Sequence, residues 1–464
     1  MSQPKSRKVQ YLAGLCVSFA FTFTGAVISW PSPALPKFIY GEAGIEITDE
    51  QSSWVVSLAA LGALPGCYIG KELSERVGRR LTVLSASLPG FLGAVIILVT
   101  RSPLLMCFAR VLMGIGNGIT AVVTMIYLTE IADKEIRGSL GMFVQVMNNL
   151  GSLAIYSVGP FVSYTKLNLI VVSFSLCFAV ICLWIPESPY YHLANGRLAD
   201  AKKQFMIIKG TKDETWANEQ IDVMRIHVQE NMENKTTLME LAKMKYRKTI
   251  YIVSGLKVLQ YMTGSLAIQS YVEMIFRRNT GISGPLVSIL YGFVQLGAGI
   301  TATFLCRFFG RRILLFISTF GVAISLTLVG VYFFLLSSFE GNSEIMKSLW
   351  LLPIIGVLSF NILYAVGLGN IPYILQAELF PINVKSLASS IATMMACIFN
   401  FIVTKLYQSV KDAFGLYTVF WLFASVAYIG VFFTYFFVPE TKGKTLEEVQ
   451  DNIRSDEVER LNKR

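Results

Sequence analysis

A cationic turn, Gly78-Arg79-Arg80, separates two long apolar runs, and it returns as Gly310-Arg311-Arg312 after half of the 464-residue chain. Each copy closes one apolar segment and opens the next, at the same relative place in its half. A repeat this long, built of apolar stretches, points to a duplicated membrane bundle with a pseudo-two-fold axis between its halves. The runs are roughly 20 residues each, long enough to cross a bilayer as helix. Twelve can be read, centred on about residues 20, 61, 90, 116, 150, 176, 262, 294, 325, 361, 397 and 426.

Composition enters here as a check. The chain is 54% hydrophobic and 15% charged, whereas a soluble protein carries about a quarter charged residues. The net charge of +10 does not imply nucleic acid, because the Lys and Arg sit in the breaks between runs and form no stripe. Cytoplasmic loops are enriched in Lys and Arg. With Lys5, Arg7 and Lys8 inside, the basic breaks 71–80, 134–137, 186–248 and 307–312, Lys385 and the C-terminal tail fall on the same side. The alternate loops hold Lys37, Arg101, Lys166 and Lys347 nearly alone, with Arg277 and Arg278 as the main exceptions. Both termini are therefore expected to be cytoplasmic.

The first run, 11–30, lacks a small-residue cleavage site and is followed by Pro31-Ser32-Pro33, so it reads as a retained helix. The expected division is a cytoplasmic N-tail over 1–10, a six-helix bundle over 11–185, linker helices over 186–248, a second six-helix bundle over 249–437 and a cytoplasmic tail over 438–464 with a short helix from Leu446. Thr48 ahead of Asp49 to Gln51 is a helix-start signal for the second span. In the linker, apolar positions over 198–208 and 221–228 are spaced for short amphipathic helices. All seven Cys lie in or beside apolar runs, which argues against a disulfide framework. The sequon Asn234-Lys235-Thr236 falls on the cytoplasmic side, where it stays unused. Glycines gather on the fourth span (Gly114, Gly116, Gly118) and near the tenth (Gly367, Gly369, with Pro372); any single one reads first as close backbone packing, while the clusters also fit helices flexed to line a cavity.

Two constellations carry chemistry. Charged residues sit at span ends in both halves: Arg79, Arg80, Glu130, Arg137 and Glu187 in the first, Arg311, Arg312, Glu378, Lys385 and Glu440 in the second. An acid such as Glu130 or Glu378 inside an apolar run is costly unless paired, and the planar fork of arginine matches a carboxylate. The arrangement reads as a cytoplasmic salt-bridge switch made in one conformation and broken in another. The second constellation is polar and uncharged: Gln145, Gln260, Gln295 and Asn400 deep in spans five, seven, eight and eleven. Carboxamides offer donors and acceptors to a neutral polyhydroxylated substrate, and Tyr271, Tyr364 and Tyr373 offer ring faces for its C–H surface.

Taken in order, these residues resemble the sugar porters of the major facilitator superfamily, the glucose and hexose facilitators. The matching motifs are the two Gly-Arg-Arg turns; Arg110 with Gly114; Tyr127-Leu128-Thr129-Glu130 followed by Arg137-Gly138; Pro186-Glu187-Ser188-Pro189; Ala377-Glu378-Leu379-Phe380-Pro381; and Pro439-Glu440-Thr441-Lys442-Gly443. The aromatic-rich last span and the ending look most like the insect branch that includes facilitated trehalose transporters. The resemblance implies twelve helices in two six-helix halves, a cytoplasmic helical linker, and sugar bound between the halves near mid-membrane. It makes Gln145, Gln260, Gln295 and Tyr373 substrate-binding residues, with Tyr271 in the extracellular gate. The family's seventh-helix motif is reduced to Gln260 and Gly264, with Tyr261 and Leu266 where a second glutamine and an asparagine are usual, and the tenth-helix motif becomes Gly367-Leu368-Gly369-Asn370. Proton-coupled members carry an aspartate in the first helix where this chain has Phe23, and no Asp or Glu lies between Tyr11 and Trp30.

The expected function is a facilitative sugar uniporter for hexose or trehalose, working by alternating access in the plasma membrane, with the sugar and the lipid bilayer as its partners. No cofactor, metal or obligate protein partner is expected. A proton–sugar symporter and a sugar receptor without turnover are the alternatives; the short tail speaks against the receptor. Nothing suggests an enzyme: His192 and His227 both lie in the linker, and no Ser/His/Asp or metal-ligand spacing occurs in the spans.

Overall fold

The computed structural model describes residues 7–133, 135–233, 246–279, 283–338, 349–380 and 382–442. Lys134, Lys347, the sequon, Pro381, Gly443 and the expected helix from Leu446 lie outside the described residues, as do the side chains of His227, Arg277, Arg278, Arg307 and Lys385.

Twelve spans follow one another as helices. The first, Lys8–Ile39, is three short helices in series, Lys8–Ser18, Ala20–Ser29 and Pro31–Ile39. Spans two to six are Asp49–Arg76, Arg79–Val99, Pro103–Ile131, Arg137–Val158 and Tyr164–Cys182. The seventh is broken into Arg247–Met262 and Ser265–Asn279. Spans eight and nine are Gly284–Phe308 and Arg311–Ser338. The tenth is broken into Leu352–Val366 and Ile371–Leu379, and the last two are Ile382–Phe414 and Leu416–Phe437.

Among the described residues, ten helices are long and apolar enough to cross a membrane. The fifth and seventh spans are missing from that set for a physical reason. The fifth carries Gln145, Asn148 and Asn149, and the seventh is interrupted at Thr263-Gly264, where Gly264 takes φ +79°. Polar side chains and a broken helix are tolerated at membrane depth only where they are held by protein or face a cavity. The two spans outside that set each carry a candidate substrate-binding glutamine, Gln145 in the fifth and Gln260 in the seventh.

The outward face of a span is apolar rather than polar. Span three turns Leu81, Leu88, Leu92 and Val99 outward, each at least 45% exposed, and buries Thr82, Ala86, Gly90, Gly93 and Ala94. Large residues toward lipid and small ones toward protein is the pattern of a bundle whose helices meet backbone to backbone.

The chain divides into two compact units. The first contains Met1–Trp30, Lys37–Ile47 and Leu58–Lys235; the second contains Pro31–Pro36, Thr48–Ser57 and Thr236–Arg464. In the first, span two meets span four through a glycine ladder. A Cβ placed on Gly62, Gly66 or Gly70 would stand 2.9 Å from the Cα of Val111, Ile115 or Ile119 respectively. From the other side, Gly114 and Gly118 abut the carbonyls of Ala59 and Ala63, and Gly116 faces Gly90. Of the two readings open from sequence, these fourth-span glycines serve close packing, whereas the Gly367–Asn370 cluster interrupts its helix. Span one crosses span five as closely: Gly25 rests on the Asn148 carbonyl, Gly151 on the Thr22 carbonyl, and Ser152 Oγ donates to Gly25 O at 3.2 Å.

The expected start of span two is a reciprocal capping box, with Gln51 N donating to Thr48 Oγ1 and Thr48 N donating to Gln51 Oε1, both at 3.2 Å. The linker forms helices Pro189–Ala194, Leu198–Lys209 and Glu214–Glu233. Their apolar faces make a small core of Leu193, Ala201, Phe205, Ala217 and Ile221, against which Trp216, Met224 and Val228 pack. Ile208 belongs instead to the core of the first unit, with Val17, Tyr127 and Leu140. Asp133 fastens the same end: it pairs with Lys209 and lies 3.6 Å from Arg7, while Gln10 Nε2 donates to its carboxylate at 3.0 Å. Burial pushes the Asp133 carboxyl up, but the Lys209 and Gln10 hydrogen bonds and the Lys209 and Arg7 charges outweigh it and hold it below the ordinary aspartate value.

Candidate functional site

The duplicated turn builds the same cluster twice. In the first unit, Glu187 accepts from the backbone N–H of Arg79 (2.9 Å), Arg80 (3.1 Å) and Ser188 (2.8 Å). In the second, Glu440 accepts from Arg311 (2.9 Å), Arg312 (3.1 Å) and Thr441 (3.0 Å). Each acid therefore caps the N-terminus of the span after the turn, where unsatisfied N–H groups and the helix dipole favour a negative charge. A Cβ on Gly78 would stand 2.5 Å from Glu187 Oε2, and one on Gly310 would collide with Glu440 Oε2, so at either turn a larger residue would displace the capping carboxylate. Burial pushes the Glu440 carboxyl up, yet its backbone hydrogen bonds hold it below the usual glutamate value.

The arginines then divide their roles alike. Arg79 grips Glu130 with two nitrogens, Nη2 at 2.7 Å and Nε at 2.9 Å, and Arg311 Nη2 meets Glu378 at 3.1 Å. Ser188 hydrogen-bonds Glu130, and Thr441 Oγ1 donates to Glu378 at 2.5 Å. Arg80 and Arg312 donate to the carbonyls of Leu183 and Tyr435. Among the described residues the ion pairs thus lie within each unit, Arg79–Glu130 in one and Arg311–Glu378 in the other. Among the described residues Glu187 and Glu440 bind backbone rather than guanidinium, and Arg137 donates to the Thr129 carbonyl, at 3.2 Å, with no ion pair.

The polar constellation separates by unit. In the first, Gln145 Nε2 donates to Asn149 Oδ1 at 3.1 Å, and Thr24 Oγ1 donates to Asn117 Oδ1 at 3.2 Å. Arg110 is structural: it is fully buried, donates to the Val27 carbonyl at 2.8 Å and lies over the Trp30 ring.

In the second unit the first half of the broken seventh span meets the broken tenth span in one network. Gln260 Nε2 donates to the Gly369 carbonyl at 3.0 Å, inside the tenth-span interruption, and Tyr364 Oη donates to the Gln260 carbonyl at 3.0 Å. Tyr261 and Tyr373 share a hydroxyl–hydroxyl bond of 2.9 Å. Lys257 Nζ donates to Gln260 Oε1 at 3.2 Å and stands 3.4 Å from the centre of the Tyr373 ring. Lys257 is 1% exposed, whereas Tyr373, whose ring lies against it, is 47% exposed as a residue. The structure so brings Gln260 and Tyr373 together and adds Lys257 and Tyr261, neither of which was expected there as a contact. Gln295 is half-buried on span eight. Asn400 on span eleven stands outside the network, with Oδ1 buried and without a hydrogen-bond partner among the described residues. Tyr271 stacks on Tyr407 with ring centres 4.3 Å apart, its hydroxyl likewise unpartnered.

A neutral polyol is well served by such a face, with carboxamides and phenols for its hydroxyls and exposed rings for its C–H edges. Among known proteins, the family described as sugar (and other) transporter matches residues 9–452. The facilitated trehalose transporter Tret1 of Polypedilum vanderplanki is 31% identical over 95% of this chain and 87% of its own. For Tret1 of Drosophila pseudoobscura pseudoobscura the identity is 30% over 95% of this chain, which spans about half (51%) of that relative's length. The xylose transporter XylE from E. coli, in a partially occluded inward open conformation, has a TM-score of 0.79 at 19% identity, covering 94% of this chain and 100% of that one. That likeness shows the fold, that of the major facilitator superfamily. With the family match extending over nearly the whole chain, this protein belongs to the sugar transporter family.

Proposed function

We propose that the protein is a facilitative carrier that moves a neutral sugar, hexose or trehalose, by alternating access. The observation that carries this reading is the Gln260 network, which places a carboxamide, three tyrosines and a helix interruption together in a membrane unit. The proposed sugar contacts are Gln260, Gln295, Tyr373 and Asn400 in the second unit and Gln145 in the first, with Tyr271 as a gate residue. Arg79–Glu130 and Arg311–Glu378, capped by Glu187 and Glu440, are the proposed switch, with Arg80, Arg137, Arg312 and Lys385 beside them. Uniport is supported by Phe23, which is 3% exposed and packs on Gly90 at the place where proton-coupled relatives carry an acid. We assign the protein to the plasma membrane with both termini cytoplasmic. Proton-coupled symport has one observation in its favour: Glu273, 1% exposed in the second half of span seven, is an acid inside the membrane.

The test is uptake of labelled glucose and trehalose into liposomes holding the purified protein, with and without an imposed proton gradient. Equilibrating, gradient-independent uptake is expected. Accumulation only with the gradient would replace uniport by symport, and no uptake of either sugar would overturn the reading.

A further inference from the structure

The seventh span buries the amine of Lys257. Lys257 lies among Ile252, Val253, Leu256 and Leu259, all buried, and its ammonium has one carboxamide acceptor and one aromatic face. Among the described residues no carboxylate forms an ion pair with it; Glu378 pairs with Arg311 and Asp412 with Lys411. An ammonium carries three donors, and among the described residues its only hydrogen bond is to Gln260. A charge at membrane depth is costly, and such residues face a pathway or pair with an opposite charge. A cation–π contact gives about 2 kcal/mol when desolvated, well short of the several kcal/mol that removing an ion from water costs. A ligand that supplies the missing anion gains what the fold leaves out.

The neighbours of the ammonium say what else that ligand carries. Gln260 keeps one N–H and one acceptor lone pair beyond its bonds to Gly369 and Lys257, and the Tyr261–Tyr373 hydroxyl pair keeps a further donor or acceptor. These are partners for hydroxyl groups. The Tyr373 ring lies against the ammonium, and this partly exposed residue is a single side chain with two rotatable bonds.

We propose that Lys257 makes this site a receptor for sugar acids: a carboxylate pairs with the Lys257 ammonium once the Tyr373 ring swings aside, while the sugar hydroxyls bond Gln260 and the tyrosine pair. The inference rests on the Gln260 network being the sugar site. It extends the cargo from neutral sugars to sugars bearing one carboxylate and names Lys257 as the residue that discriminates between them. A uniporter moving such an anion transfers one negative charge per cycle, so its cargo distributes with the membrane potential, tenfold for about 60 mV.

The experiment uses the full chain in liposomes, with labelled D-glucuronate and D-glucose measured separately and in competition. Wild type is expected to take up glucuronate, to accumulate it tenfold at an inside-positive potential of about 60 mV, and to show glucose uptake inhibited by glucuronate. In K257Q the affinity for glucuronate relative to glucose is expected to fall about ten- to a hundredfold, the loss of one hydrogen bond to a charged group. K257R, which keeps the charge, is expected to retain the preference. Glucose uptake by wild type without uptake of, or competition by, glucuronate would overturn this inference alone. An unchanged ratio in K257Q would do the same. Glucuronate uptake without glucose or trehalose uptake would uphold it and overturn the neutral-sugar reading, and no uptake of any of the three would overturn both.

Discussion

The two Gly-Arg-Arg turns are alike in contacts but not in backbone, and that difference sets a quantitative test. Gly78 has φ +98° and ψ 166°, a region open essentially to glycine alone, whereas Gly310 does not have a left-handed φ. In both turns an added Cβ strikes the capping carboxylate. Gly78→Ala therefore pays twice: about 1–3 kcal/mol of backbone strain, and about 3 kcal/mol for displacing Glu187 from two backbone donors at roughly 1.5 kcal/mol each. Gly310→Ala carries only the second loss, through Glu440. G78A should thus be less stable than G310A by about 1–3 kcal/mol, which at about 2–4 °C per kcal/mol places its melting roughly 2–12 °C lower. The assay is the monodisperse fraction of detergent-solubilised protein after stepwise heating. Equal melting of the two variants would refute the assignment of strain to Gly78. Melting of both at the wild-type temperature would refute the capping role of the two acids.

Other outcomes follow from the same geometry. In a double-mutant cycle on Arg79→Ala and Glu130→Ala, read by the same heating assay, the coupling should be about 1.5–3 kcal/mol, because the contact is a two-nitrogen grip with both side chains mostly buried; a coupling near zero would make it an ordinary solvated pair. Asp133 is held below its ordinary value, so its contribution is complete above about pH 4 and is lost as pH falls through the folded value. Asp133→Asn should remove that acid dependence and raise hydrogen exchange in the 198–209 helix at neutral pH; unchanged exchange would show that Ile208 and its neighbours hold the helix without the ion pair. Gln260→Ala should raise the half-saturating sugar concentration about tenfold by deleting a side-chain donor and acceptor, and an unchanged value would remove Gln260 from the sugar contacts.

Much of this architecture is legible from where charges interrupt apolar runs. The repeat of Gly-Arg-Arg locates both capped turns, because a bilayer confines arginine to the breaks. What the turn does was not legible: the acid that caps Gly78-Arg79-Arg80 is Glu187, 108 residues away, and both acids near each turn are carboxylates of equal charge. Only the fold decides that Glu130 takes the guanidinium and Glu187 the backbone. The polar network was half legible. Gln260 and Tyr373 stand out as polar and aromatic residues in apolar surroundings. Lys257 was missed although its signal was present, since a lysine between Leu256 and Val258 is as costly in a span as Glu130, and the reasoning applied to that acid applied to it. The glycines of span four could not be assigned from sequence, because the same residue serves close packing and helix flexing; the carbonyls opposite them settle it.

The ladder between spans two and four has a mechanical consequence. Where Gly62, Gly66 and Gly70 touch Val111, Ile115 and Ile119 at the main chain, no rotamer stands between the two helices to absorb a displacement. A shift of either helix along the other would drive carbonyl oxygens into Cα atoms at every rung at once. Spans two and four of the first unit, 58–76 and 103–131, therefore behave as one stiff plank. Whatever bends during a transport cycle must bend elsewhere, and the interruptions at Gly264 and Gly367–Asn370 are the places where the ladder's rigidity has no counterpart.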